Sequence, residues 1–281
     1  ADLICAIDLD TILACYFASL LKGTKRVYDA HEFFTEQKEI VSRPFIYKIW
    51  LAIEKFSVPK FQNGYTVNHW IAAAFKKRYG VDYAIIRNLP VNYLANITAT
   101  KERFILYQGA VNEGRCFETL IPAMKKVNCK LAIYGNGNFV SKSLSIINNN
   151  LLNNKVSINT AIYPTDLQKL TTTASIGITL FDQIGLNQYH SLANRFFDYI
   201  MAGIPQLCVD FPAYQAINEV YEVAYLIPNT ESETIAFALN KLLEDPVLYK
   251  RLQLNCQKAR KVYNWNQEEP LLINFYNHLF N

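Results

Sequence analysis

Between Gly185 and Pro205 the chain reads Leu-Asn-Gln-Tyr-His-Ser-Leu-Ala-Asn-Arg-Phe-Phe-Asp-Tyr-Ile-Met-Ala-Gly-Ile, and these residue types suit a diphosphate followed by a sugar diol. Ser191 is a good helix N-cap. Leu192, Ala193 and Asn194 then fall in a first turn whose N–H groups and dipole attract a diphosphate. Arg195 adds a fixed positive charge beside it. Phe196, Phe197, Tyr199 and Ile200 form the apolar body of the helix, so Asp198 in their midst requires a definite partner, which a ribose would supply.

Three further tracts carry chemistry. Leu106 to Arg115 is a strand running into a turn bracketed by Gly109 and Gly114. There Gly109 allows close backbone approach, and Arg115 can fork onto phosphate oxygens. An ordinary strand-to-helix loop with a solvent arginine gives the same local pattern. Ile133 to Asn138 ends a strand in Gly135 and Gly137, the geometry that admits a ligand at the carboxyl edge of a sheet, or simply a tight turn. Val27 to Glu36 sets Asp29, His31, Glu32 and Glu36 directly after a strand, where His31 can bond a sugar hydroxyl or a phosphate, or make local hydrogen bonds only. In Asp8-Leu9-Asp10 the second carboxylate reads as the N-cap of a helix from Thr11 rather than as half of a metal site. No serine-hydrolase elbow, phosphate-binding Walker loop or zinc-type Cys/His pairing occurs.

These residues need elements to hold them. Strand-like runs at Leu3–Ile7, Arg26–Tyr28, Tyr83–Ile86, Phe104–Tyr107, Leu131–Tyr134, Val156–Ile158, Ile176–Leu180, Gln206–Val209 and Ala224–Ile227 alternate with helix-length segments. This rhythm predicts an α/β protein with parallel, doubly wound sheets. It breaks at the polar stretch Asn92 to Lys101, the expected linker. The expected domains are therefore a partial N-terminal one over 1–88, a complete one over 102–263, and a C-terminal helix over 264–281 that crosses back. The stripe Leu272, Phe275, Tyr276 and Leu279 on that helix needs a cover. The opening directly on a strand, without Met, is read as an N-terminally truncated chain.

The composition is globular, with 51% hydrophobic and 19% charged residues in 281. A net charge of +4 suits phosphorylated substrates or an anionic membrane surface and argues against nucleic acid. Six scattered cysteines without C-x-x-C point to a reducing cytosol. The segment Arg43 to Lys60 interleaves aromatic, aliphatic and basic residues, as a core-facing amphipathic helix or one lying on a membrane surface does.

Taken together, Val27–Glu36, Tyr107–Met124, Leu131–Gly137 and Gly185–Pro205 resemble the glycosyltransferase family 4 pattern in order and spacing. The resemblance implies the GT-B fold, two Rossmann-like domains facing a cleft. It also implies a hexosyl-type, retaining and metal-independent transferase acting in the cytoplasm, at the inner membrane face where its acceptor is lipid-linked. No cofactor is expected. A nucleotide-sugar donor would meet Gly109, Arg115, Ser191, Leu192, Ala193, Asn194 and Arg195, with Asp198 on the ribose and Gly135 and Gly137 on the nucleobase side. A saccharide or lipid-linked acceptor, as in surface polysaccharide biosynthesis, would complete the reaction. Family members carry two glutamates separated by seven residues, where this chain has His190 and Asp198; His31 falls where the family places a histidine near the donor sugar. The catalytic candidates are thus His31 and His190. Two other readings stay open: a non-catalytic nucleotide-sugar-binding scaffold of the same fold, and a sugar-nucleotide epimerase.

Overall fold

A computed structural model of the chain describes residues 1–92 and 103–280. The polar stretch read as a linker lies, apart from Asn92, outside the described residues. The chain divides into two compact units, one made of Ala1–Asn88, Gln183–Leu192 and Glu268–Asn281, the other of Leu89–Asp182 and Ala193–Gln267. This differs from the sequence-based boundaries in one important place: the ten residues Gln183–Leu192 cluster with the first unit, although the chain on either side of them belongs to the second.

The first unit holds a four-stranded parallel sheet in the order β1 (Leu3–Ile7), β2 (Lys25–Ala30), β3 (Gly64–Thr66) and β4 (Ala84–Ile85). Its main core is aromatic, with Tyr28, Phe33, Phe61, Phe75 and Tyr83 all buried and packed largely edge-on. A smaller cluster of Val27, Tyr65 and Ile86 is covered by Leu272, Phe275, Tyr276 and Leu279 from the helix Trp265–Phe280. That is the burial the C-terminal stripe requires. Glu268 anchors the same helix by accepting from the backbone N–H of Arg87 at 2.7 Å and from its Nε at 3.1 Å.

Between β3 and β4 runs the helix His69–Tyr79, capped by Asn68, whose Oδ1 accepts from the Ile71 N–H at 3.0 Å. The Asn68 Nδ2 donates to the His190 carbonyl at 2.7 Å, so one side chain both starts a helix and pins Gln183–Leu192 to this unit. Asn68→Ala is expected to cost about 1 kcal/mol for the lost cap alone. Asn68→Asp should keep the cap and lose only the pin; urea denaturation of the two variants separates the roles.

The second unit holds six parallel strands in the order β10 (Ala224–Ile227), β9 (Gln206–Val209), β8 (Ile176–Thr179), β5 (Phe104–Gln108), β6 (Lys130–Tyr134) and β7 (Val156–Asn159). The chain leaves β5 for β6 and β7 on one side, then returns to β8 on the other. The carboxyl ends of β5 and β8 therefore flank the point where the winding reverses, the place where open α/β sheets bind ligands.

Candidate active site

In the second unit the turn after β5 and the turn after β6 are laced together. The Gly109 N–H donates to the Tyr134 carbonyl, the Val111 N–H to the Asn136 carbonyl and the Phe139 N–H to the Val111 carbonyl, at 2.9 to 3.0 Å. A side chain at Gly135 would meet the Gly109 carbonyl oxygen at 1.8 Å, and one at Gly137 would meet the Val111 carbonyl oxygen at 2.2 Å. Glycine is thus demanded at both positions by the neighbouring turn. Gly109 itself sits at φ +117 in the left-handed region, and a Cβ there would lie 3.0 Å from Nη1 of Arg195.

Arg195 lies directly beneath that turn. It is 8% exposed. Its Nη1 donates to the Tyr107 hydroxyl at 2.9 Å and the Gln108 carbonyl at 3.2 Å, and its guanidinium lies over the rings of Tyr107 and Phe181 at 4.6 and 4.9 Å. Its Nε has no hydrogen-bond partner, and no carboxylate stands within ion-pair distance among the described residues. The Phe181 ring also carries Arg115, whose guanidinium lies 4.5 Å from its centroid. Phe181, just after β8, therefore gathers two cations beside the winding reversal. For Arg195, buried and with no carboxylate at ion-pair distance among the described residues, desolvation is costly, and an anionic ligand would offset that cost.

The helix carrying Arg195 runs from Asn194 to Ala202 and starts later than the sequence predicts. Ser191 is not its cap: the Ser191 hydroxyl donates to the Gln188 carbonyl at 2.9 Å and closes the short helix Leu186–Tyr189. Ala193 takes the N-cap position, with its N–H donated to the Tyr214 hydroxyl at 3.0 Å. Ser191 and Leu192 accordingly leave the expected first turn and belong to the first unit, whereas Ala193, Asn194 and Arg195 stay at the amino end of the helix.

Asp198, one turn on, has a protein partner. Its Oδ2 accepts from Gln108 Nε2 at 2.9 Å, and Gln108 Oε1 in turn accepts from the Thr171 hydroxyl at 2.7 Å. Burial pushes the Asp198 carboxyl up to about 6, against the opposing pull of the Gln108 hydrogen bond and the Arg195 charge. In the unfolded chain this group ionises near 3.8, so from there to about pH 6 the folded state holds the proton more tightly and stability falls as pH rises. If the charged carboxylate grips a ribose, affinity runs the other way. Donor affinity should fall roughly tenfold from pH 7 to pH 5, and the Asp198→Asn variant should lose that pH dependence in calorimetric titration.

The remaining candidates stand in the first unit. His31 Nε2 pairs with Asp29 Oδ2 at 3.0 Å, and the same oxygen accepts from the Tyr65 hydroxyl at 2.9 Å. The Asp29 hydrogen bond raises the His31 pKa against desolvation. The His31 N–H donates to Asp8 Oδ1 at 3.1 Å. Asp8 sits at φ 55 at the carboxyl end of β1, a strained position for a non-glycine residue, and burial pushes its carboxyl up to about 6. It also opens the helix Asp8–Lys22 with Ile7 as N-cap, so Asp10 lies in the first turn and is not the cap.

His190 is in the same unit. Its segment is tied down by the Phe33 N–H, which donates to Asn187 Oδ1 at 2.9 Å, and by Gly185, where a Cβ would meet the Glu36 carbonyl oxygen at 2.3 Å. Burial, with His69 nearby, lowers the His190 pKa, and its buried Nδ1 has no partner among the described residues. A neutral imidazole in this state suits a ligand hydroxyl better than a phosphate.

Residues 95–261 match the family described as Glycosyl transferases group 1, and the chain belongs to that family. No curated protein matches the sequence. Among solved structures, TarM of S. aureus, determined as a mutant with fondaparinux, alpha-GlcNAc-glycerol and UDP, is 16% identical with TM-score 0.74; the match covers 97% of this chain and 55% of TarM. Sucrose-phosphate synthase from Thermosynechococcus elongatus is 15% identical with TM-score 0.78, covering 99% of this chain and 74% of that one. HepE of Anabaena in complex with UDP and glucose is 13% identical with TM-score 0.77, covering 98% and 77%. This chain thus spans about half the length of TarM and about three quarters of the other two. The two parallel-sheet units are those of the GT-B fold.

Proposed function

We propose that this chain transfers a hexosyl group from a nucleoside-diphosphate sugar to a hydroxyl of a saccharide or lipid-linked acceptor, with retention of configuration and without a metal. The observation that carries the reading is Arg195, a buried guanidinium without a carboxylate partner among the described residues, set beneath a glycine turn at the winding reversal. UDP accompanies both TarM and HepE in their structures, which makes a UDP-sugar the first donor to test.

In this mechanism Arg195, Arg115 and the amino end of the helix Asn194–Ala202 hold the diphosphate as negative charge develops on it. Asp198, oriented by Gln108, takes the ribose hydroxyls. The acceptor hydroxyl attacks the anomeric carbon from the face the diphosphate leaves, and its proton passes to a leaving phosphate oxygen. No side-chain nucleophile is required, so His31 and His190 act by bonding sugar hydroxyls. The acceptor class, as in surface polysaccharide assembly, places the chain at the cytoplasmic face of a membrane. No helix among the described residues is long and apolar enough to cross one.

A scaffold that binds donor without transferring it is the second reading, favoured by the neutral His190 where the family carries a glutamate. A thermal-shift screen against UDP-, GDP- and ADP-sugars, followed by product analysis, separates the two. A shifted midpoint with a new glycosidic linkage supports transfer. A shift with unchanged donor supports the scaffold, and no shift with any sugar nucleotide overturns both.

A further inference from the structure

The first unit carries a surface that the donor chemistry does not use. On the helix Pro44–Ser57 the solvent-facing stripe is Phe45, Ile49, Ala52 and Phe56, with Lys48 and Lys55 interleaved at helical spacing. Phe45 is 74% exposed, and Ile49 and Phe56 are nearly half exposed. The opposite face packs inward through Trp50, Ile53, Glu54 and Ser57, so the exposed stripe is not needed for the core.

The stripe continues onto the helix Asp8–Lys22. The Tyr16 ring contacts Phe56 at 5.8 Å and Phe17 at 5.3 Å, and Phe17 and Leu21, one turn apart, are both exposed. Charge on the Pro44–Ser57 side has one sign. The single carboxylate there, Glu54, is fully buried and accepts from Thr35 and Tyr79, leaving Arg43, Lys48, Lys55 and Lys60 as the charges near the surface. None of these four has an ion-pair partner among the described residues. Lys60 lies over the Phe56 ring at 4.3 Å, so its stem follows the aromatic while its ammonium reaches the edge. Lys55 also lines a groove of about 530 Å³ with Tyr47, Leu51 and Pro59, which offers a headgroup phosphate a seat beside the stripe.

We propose that this face docks on a bilayer rich in anionic lipid, with Phe45, Ile49, Phe56 and Phe17 entering the acyl boundary and Arg43, Lys48, Lys55 and Lys60 meeting lipid phosphates. The apolar stripe alone would fit a second copy of the chain. Along the Pro44–Ser57 side the border is wholly basic, and its four cations outweigh the one exposed carboxylate on the Phe17 and Leu21 face of the neighbouring helix, Asp10; this decides for an anionic surface, since two copies would set like charges against each other. The inference deepens the membrane-surface part of the proposed function and needs nothing from the donor site.

The test is sedimentation of the full chain with vesicles of phosphatidylcholine alone and of phosphatidylcholine with phosphatidylglycerol. Strong binding to the anionic vesicles and weak binding to the neutral ones is expected, loosened by raising the salt. Replacing Lys48 and Lys55 by Gln should weaken the anionic binding roughly thirtyfold. Phe45→Ser with Phe56→Ser should weaken binding to both vesicle types at least tenfold, roughly what withdrawing two aromatic side chains from the boundary implies. All these side chains are exposed, so circular dichroism and the donor-induced thermal shift should stay unchanged. Absence of binding to anionic vesicles overturns the proposal. So does a concentration-dependent dimer that the Phe45/Phe56 variant abolishes while vesicle binding persists.

Discussion

Arg195→Met is expected to lower affinity for a nucleotide-sugar donor a hundredfold or more while leaving the ligand-free protein as stable as before, or slightly more so. The guanidinium would contribute charge-assisted hydrogen bonds to a diphosphate, about 1.5–3 kcal/mol each, and methionine contributes none. Without ligand the balance reverses. A cation 8% exposed without a carboxylate partner among the described residues carries a desolvation cost that an apolar side chain of similar length removes. Tyr107 keeps its own donated bond to the Ala110 carbonyl at 2.7 Å, while the arginine's bonds to the Tyr107 hydroxyl and the Gln108 carbonyl, its contact with the Phe181 ring and its charge beside Asp198 are lost. Calorimetric titration with UDP-glucose and thermal denaturation of the ligand-free protein check the two halves. A large loss of stability with unchanged affinity would make Arg195 a structural residue and remove the diphosphate from this turn.

Gly135→Ala should be the most destabilising single-methyl addition in the second unit, at about 3 kcal/mol, the upper end of ordinary overpacking. The new Cβ would stand 1.8 Å from the Gly109 carbonyl oxygen and 2.9 Å from its carbonyl carbon, so backbone has to move. The turn that must lift is the one resting on Arg195, and donor binding should fall along with stability. Gly23→Ala is the matched control. Its Cβ meets nothing within 4 Å, and only the φ of +63 resists it, at about 1 kcal/mol. Urea midpoints of the two variants give the comparison; equal shifts would mean that the turns are free to part.

Much of this architecture is legible in the residues, and the parts that are not have physical reasons. Apolar runs bounded by polar turns locate nine of the ten strands among the described residues, because a doubly covered parallel strand is continuously hydrophobic. β3 escapes because it is three residues long, opens on Gly64 and is identified only by its pairing with Tyr28 to Ala30. The start of the helix at Asn194 escapes for a different cause. Ser191 has the chemistry of a cap, but long-range bonds from Asn68 and Phe33 hold its segment elsewhere. Phe181 and Gln108 do not stand out in the sequence, yet one gathers both arginines and the other orients Asp198. Gln108 alone left a trace, as an amide closing the otherwise apolar run from Phe104.

The path of the backbone limits how this protein can be dissected. Because ten residues leave the second unit for the first and return, the polypeptide passes from one unit to the other four times. An excised fragment comprising the six-stranded sheet would carry Gln183–Leu192 as an orphan strap, severed from Asn68, Phe33 and the Glu36 carbonyl. Work on separate halves therefore calls for a short glycine-serine bridge in place of that excursion, with His190 sacrificed in the process.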